Sequence, residues 1–171
     1  MVRLTEILSD APEGRESDGL TLDFDRRRKS RQRVVLDSGV EAGLFLPRGT
    51  VLREGDRLRG DDGSVVRVKA APETLSVVAA QDRLQLARAA YHLGNRHLPV
   101  EITAMGLQYQ HDHVLDTMVR GLGLEVTVCE GPFNPEGGAY GGGHGHGHDH
   151  DHDHDHDHGG SLLLLHDHDH S

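Results

Sequence analysis

The sequence predicts an α+β protein in three parts: a small all-β N-terminal domain (residues 1–71), a second domain of strands and two helices (72–140), and a disordered C-terminal tail (141–171). Three observations predict it. Up to about residue 71, apolar residues alternate at period two and no helical period is visible. Between 72 and 128, two stretches of helical period are set among short strands. From Gly141 on, the chain has almost nothing apolar and alternates His with Gly, then His with Asp.

In the first part, Leu20, Leu22 and Phe24 alternate with Thr21, Asp23 and Asp25, the pattern of a half-buried strand. Arg33 to Leu36 runs into the turn signal Asp37-Ser38-Gly39, and Val40 to Leu46 resumes an apolar segment. Pro47-Arg48-Gly49 punctuates again, and Asp62-Gly63 separates a second pair of short runs that ends in Val65 to Val68. A small open barrel or sandwich is expected. Ala71-Pro72-Glu73 reads as a linker. Leu75 to Ala80 reads as a strand, and Gln81 to Leu93 as a helix with Leu84, Ala87 and Tyr91 on one stripe and Leu86, Ala90 and Leu93 beside it. Asp82 is placed to cap the start of that helix and Gly94 to take the left-handed position at its end. Val100 to Thr103 and Leu107 to His111 read as strands about a turn at Gly106. His113 to Leu122 reads as a second helix with Leu115, Met118, Val119 and Leu122 on one side, and Leu124 to Val128 as the last strand. The order βαββαβ is the ferredoxin-like arrangement, which by itself says little about function.

Composition narrows the class. The net charge is −10, and seven aspartates (149, 151, 153, 155, 157, 167 and 169) sit in a tail without Lys or Arg. With those set aside, 21 of the 28 acids remain against 18 bases, so the body is nearly balanced. A nucleic-acid binder would carry a net basic domain. The one dense basic stretch, Arg26 to Arg33, is expected to be a solvated strand or turn, with a docking surface for an acidic partner as the sharper alternative. The single cysteine, Cys129, leaves no internal disulfide and fits a reducing compartment. Neither a signal peptide nor a membrane span is legible, since the longest leucine run is Leu162 to Leu165. A cytoplasmic protein is expected.

The tail carries the strongest chemical signal. His144, His146, His148, His150, His152, His154, His156, His158, His166, His168 and His170 are eleven of the fifteen histidines. Neutral imidazole suits nickel, copper and zinc. Spacing of two places alternate side chains on one side of an extended chain, about 7 Å apart, and the aspartates between them add oxygen ligands. Each ion must order several residues, so the tail should give capacity rather than selectivity. Two readings compete: a solvating acidic tail without metal function, and an expression tag, although tags are usually uninterrupted His runs.

Within the body, His111-Asp112-His113 forms a second candidate. If the strand runs through it, the two imidazoles share a face and hold one divalent ion; the alternative is a polar strand end, with Asp112 as ligand or as cap of the following helix. His97, in Gly94-Asn95-Arg96-His97-Leu98-Pro99, is a loop histidine after a helix end. His92 reads as a satisfied structural histidine beside the core stripe.

Taken together, these segments resemble the E-type urease accessory metallochaperones. Tyr91-His92-Leu93-Gly94-Asn95-Arg96-His97-Leu98-Pro99 looks like that family's central signature, and Tyr109-Gln110-His111-Asp112-His113-Val114-Leu115-Asp116 like its second metal motif. The likeness continues through Gly131-Pro132-Phe133-Asn134-Pro135-Glu136 to Gly138-Ala139-Tyr140, and includes Leu44-Phe45-Leu46-Pro47-Arg48-Gly49 in the first domain. It implies a homodimer joined through the second domains, with His97 of both subunits holding one nickel at the interface and His111 and His113 forming peripheral sites. It further implies a first domain like the peptide-binding module of co-chaperones, and delivery of nickel to an apo-urease assembly complex through a GTP-dependent accessory partner. Cu2+ and Zn2+ share the same ligands. Leu162 to Leu165 departs from the family pattern.

Two other functions compete. A general divalent-metal buffer or detoxification protein would need the tail but not two ordered domains with isolated histidines. A metal-dependent hydrolase would need an open coordination position and a general base, for which Glu101 and Asp112 are the nearby carboxylates; no H-E-x-x-H motif is present. No G-x-x-x-x-G-K-[ST] loop is present either, so any GTP use falls to a partner.

Overall fold

The computed structural model describes residues 1–9, 14, 16–79 and 82–137. The tail histidines, the Leu162–Leu165 run and Gly138-Ala139-Tyr140 lie outside the described residues. The chain is mixed α+β, with a barrel-like sheet first and a sheet carrying helices second.

The first sheet contains β1 (Val2–Ile7), β2 (Asp18–Leu22), β3 (Arg31–Val35), β4 (Glu41–Phe45), β5 (Arg57–Gly60) and β6 (Val65–Ala70), in the spatial order β2-β6-β5-β1-β4-β3. Alternation dictates its core: Leu20 and Leu22, Val34 and Leu36, Ala42, Leu44 and Leu46, Leu58, Val66 and Val68 all point inward with Leu4 and Leu52. The two ends of the sheet approach each other just past β3, where the Asp37 amide donates to Gly19 O at 2.8 Å and the Thr21 amide to Asp37 Oδ1 at 3.1 Å. The expected turn Asp37-Ser38-Gly39 joins β3 to β4, with Gly39 at φ +88°.

One helical turn interrupts this β region, contrary to the expectation of none. Helix α1 (Phe24–Arg27) starts at Asp23, whose carboxylate accepts from the Arg26 amide at 2.7 Å. Phe24 thus opens a helix rather than ending a strand. The helix also corrects the reading of the basic stretch as wholly solvated, because Arg27 is 1% exposed. Its guanidinium donates to Leu22 O and Leu52 O, both at 3.3 Å, to Asn134 Oδ1 at 3.2 Å, and to Phe133 O. Arg31 and Arg33 do lie exposed on β3.

The second sheet contains β7 (Pro72–Ala79), β8 (Glu101–Thr103), β9 (Gly106–Gln110) and β10 (Glu125–Pro132), in the order β10-β7-β9-β8 with every neighbouring pair antiparallel. Helices α2 (Arg83–Gly94) and α3 (His113–Gly121) follow β7 and β9. Val78, Leu107 and Tyr109 pack with Ala89, Leu93, Leu115 and Val119 into the core beneath them. Gly106 is required where β9 crosses β7, since a Cβ there would lie 1.9 Å from Val78 O.

The expected linker is part of the framework. Pro72 and Glu73 already belong to β7, paired with Pro132 and Gly131. The Glu73 carboxylate accepts from the Phe24 amide and from Gln110 Nε2, each at 2.8 Å. Phe24, Leu75 and Phe133 form a small third core, with the two phenyl rings edge to face at 5.4 Å.

Candidate metal centre

Helix α2 begins as expected, with Asp82 accepting from the Leu84 amide at 2.8 Å. Its outer side does not follow expectation. The buried residues are Ala89 and Leu93, whereas Leu84 is 60% and Tyr91 68% exposed, and Ala87 lies exposed between them. The Leu84–Ala87–Tyr91 stripe therefore faces outward. His92, expected to be a structural histidine, is exposed, its ring edge to face with Tyr91 at 5.4 Å.

The end of α2 holds the first candidate ligand. Gly94 stays within the helix and Asn95 caps it, so the left-handed residue is His97 at φ +56° and not Gly94. The turn is closed by the Arg96 amide donating to Leu93 O at 3.1 Å and the His97 amide to Gly94 O at 2.9 Å. His97 is exposed. It sits at the negative pole of the helix, which favours a cation, in a conformation few side chains other than Asn, Asp and His adopt readily.

The hairpin β8–β9 orients the two histidine motifs. Glu101 pairs with Gln108, one residue from the register expected for a turn centred near 105. His97 precedes β8 and His111 follows β9, so both chain segments leave the hairpin at the end away from its turn. The strand does not run through His111-Asp112-His113, however. β9 ends at Gln110, although the His111 amide still donates to Thr74 O at 3.0 Å. Asp112 is the cap of α3, accepting from the Val114 and Leu115 amides at 2.7 and 3.2 Å, and those amides hold its carboxyl below the usual carboxylate range. His113 is the first residue of the helix and exposed. The two imidazoles thus sit on either side of a cap rather than on one strand face.

Three residues that the sequence reading did not single out surround His111. Its Nδ1 lies 3.0 Å from Ser76 Oγ and 3.4 Å from Asp116 Oδ2. Asp116 is buried at 2% exposure, accepts from the Tyr109 hydroxyl at 2.9 Å, and faces Arg120 Nη2 at 3.6 Å. Burial first, and then the bond to Asp116, push the Tyr109 phenol well up, so it remains a proton donor. The available signal was a carboxylate between Leu115 and Val119 on the apolar side of α3, four residues before Arg120.

The arrangement disfavours the hydrolase reading. Glu101 Oε2 is occupied by Gln108 Nε2 at 2.8 Å and by the Asn134 amide at 2.6 Å, and Asp112 is committed to its cap. Ser76 and Asp116 meet the same nitrogen of His111, so they do not form a relay, which needs opposite nitrogens. Among the described residues, no three His, Cys, Asp or Glu side chains come together to hold a metal ion, and no helix is long and apolar enough to cross a membrane.

Comparison with known proteins adds the remaining information. Residues 4–71 match the family model for the N-terminal domain of the UreE urease accessory protein, and residues 73–159 match the model for its C-terminal domain. The chain is 54% identical over 142 residues to the urease accessory protein UreE of Teredinibacter turnerae, covering 83% of this chain and 92% of that protein. It is 55% identical over 143 residues to that of Alkalilimnicola ehrlichii, covering 83% and 86%. With that of Proteus mirabilis it shares 57% over 123 residues, covering 72% and 76%.

Proposed function

The chain belongs to the UreE urease accessory protein family, an accessory and not an enzymatic family with a role in urease maturation, and from that premise we propose that it is a nickel metallochaperone. It captures Ni2+ and delivers it for assembly of the urease active site. In this reading nickel is cargo, and Cu2+ and Zn2+ compete for the same imidazoles. Residues 1–71 form a peptide-binding-like domain, residues 72–140 a ferredoxin-like metal-binding domain, and residues 141–171 a metal-collecting tail. The order β10-β7-β9-β8, all antiparallel, supports the ferredoxin-like assignment.

The observation that carries the nickel reading is the position of His97. It is an exposed imidazole at the end of the helix whose Leu84–Ala87–Tyr91 stripe is left uncovered by the chain's own core. A contiguous exposed apolar stripe marks an interaction surface. Closed two-fold symmetry would pack that stripe against itself and bring one His97 from each subunit to a shared ion. This arrangement supports the homodimer with an interfacial nickel that the family resemblance implies, with His111 and His113 supplying peripheral sites. The cytoplasm is the expected compartment, and the clients are a GTP-dependent urease accessory protein and the apo-urease assembly complex.

Nickel calorimetry on the full chain and on His97→Ala, with light scattering on both, tests the reading. The variant is expected to lose the tightest class of nickel sites and to remain dimeric. An unchanged tightest affinity would count against an interfacial site at His97.

A further inference from the structure

We propose that Asp116 is a positioning residue for His111, acting with Ser76 and Tyr109 to keep the proton on Nδ1 and leave Nε2 as the metal-ligating atom. The inference rests on the reading of His111 as a metal ligand and adds which nitrogen serves and what selects it.

The geometry is one-sided. Both polar neighbours of the ring, Ser76 Oγ at 3.0 Å and Asp116 Oδ2 at 3.4 Å, meet Nδ1. A carboxylate only accepts hydrogen bonds. If Nδ1 carried the lone pair, that lone pair would face a buried carboxylate oxygen. With the proton on Nδ1, the ring donates to Ser76 Oγ and turns its N–H side toward the Asp116 carboxylate. Tyr109 fixes Asp116 from the other oxygen, and the Ser76 hydroxyl oxygen has lone pairs with which to accept from Nδ1. Ser76, Tyr109 and Asp116 are all 2% exposed or less, so water does not replace these partners. The His111 side chain is 36% exposed, and Nδ1 is the nitrogen met by Ser76 and Asp116, which leaves Nε2 for a ligand. A histidine ligand whose other nitrogen donates to a carboxylate is held in one tautomer and one orientation, and loss of that partner costs about 10- to 100-fold in metal affinity.

The test is a long-range proton–nitrogen correlation spectrum of the full chain with 15N-labelled histidine, near pH 8, where free imidazoles are neutral. The His111 ring is assigned by its absence from the spectrum of His111→Gln. The metal-free protein is expected to show His111 protonated at Nδ1, and added Zn2+ is expected to shift Nε2. Asp116→Asn is expected to mix the tautomers and weaken zinc at His111 by about 10-fold or more. A metal-free ring protonated at Nε2, or an Asp116→Asn protein with tautomer and zinc midpoint unchanged, would overturn the positioning role. If Asp116→Asn does not fold, Tyr109→Phe, which removes only the hydroxyl, takes its place, and the wild-type tautomer still decides. A ring protonated at Nδ1 that never responds to zinc would instead overturn the ligand reading of His111, and the metal-free spectrum separates that failure from the other.

Discussion

His97 is exposed, lies outside the three hydrophobic cores, and sits at φ +56°. For an ordinary L-residue the left-handed conformation costs about 1–2 kcal/mol, and the chain carries it at the one body histidine assigned to the interface. Asn tolerates this region and a β-branched residue does not. His97→Asn is therefore expected to leave the free energy of unfolding within about 0.5 kcal/mol, while His97→Val should lower it by about 1 kcal/mol or more. Denaturant unfolding of the metal-free proteins measures both; equal stabilities would mean that the conformation at 97 is not imposed by the fold. The histidine motifs were legible from spacing, but their surroundings were only partly so. Asp112 was open between ligand and cap, and the geometry gives it to the cap. Gly94 was the natural choice for the left-handed position because glycine takes it most easily; the helix instead continues one residue further and hands the position to His97. Asp116 closes the second motif but its role is not legible there, because a carboxylate within a helix normally faces water, and only the approach of Tyr109 on β9 and of His111 just beyond it shows why this one does not.

At the scale of elements, the basic stretch teaches the most. Arg27 reaches acceptors from β2, from the loop at Leu52 and from Phe133 and Asn134, which end the second sheet's chain path. One side chain thus fastens α1 to both sheets. Arg27→Ala would leave the buried Leu52 and Phe133 carbonyls without this donor, and is expected to destabilise the protein by about 3 kcal/mol or more. Arg27→Lys should not restore it, because an ammonium lacks the planar fork that reaches separate carbonyls at once. The unfolding midpoint in urea reads this, and a loss under about 1 kcal/mol would show that the contact is incidental. A charge run predicts solvent, since charge runs usually face it; two of the four acceptors that hold Arg27, Phe133 O and Asn134 Oδ1, lie more than a hundred residues away in sequence. Local signals did better. The period-two runs gave the inward residues of the barrel-like sheet, and Asp82 and the Leu115–Val119 stripe gave the helices. They failed at Leu84, Ala87 and Tyr91, because an apolar stripe left on the surface has the same period as one that packs against its own sheet.

The whole molecule combines a folded body with few, separate histidines and a tail with eleven. In the proposed function, capacity falls to the tail and delivery to the body. Metal-bound imidazoles must be unprotonated, and a free histidine has a pKa of about 6.5. Nickel held by the tail should therefore leave as pH falls from about 7.5 to about 5.5. Equilibrium dialysis of the full chain and of a chain ended after Tyr140 is expected to show the larger loss of bound nickel in the full chain, and equal ion capacity of the two at pH 7.5 would remove the storage role. Capacity alone would also suit a metal buffer, so delivery is the claim that separates the two. The most direct measurement is activation of apo-urease, with its GTP-dependent accessory protein and GTP present, at a limiting nickel concentration supplied either as free ion or bound to this chain. More active urease is expected from the bound nickel, with that advantage lost in His97→Ala. Activation equal to or below that from the same amount of free nickel would contradict delivery and leave a buffer in its place.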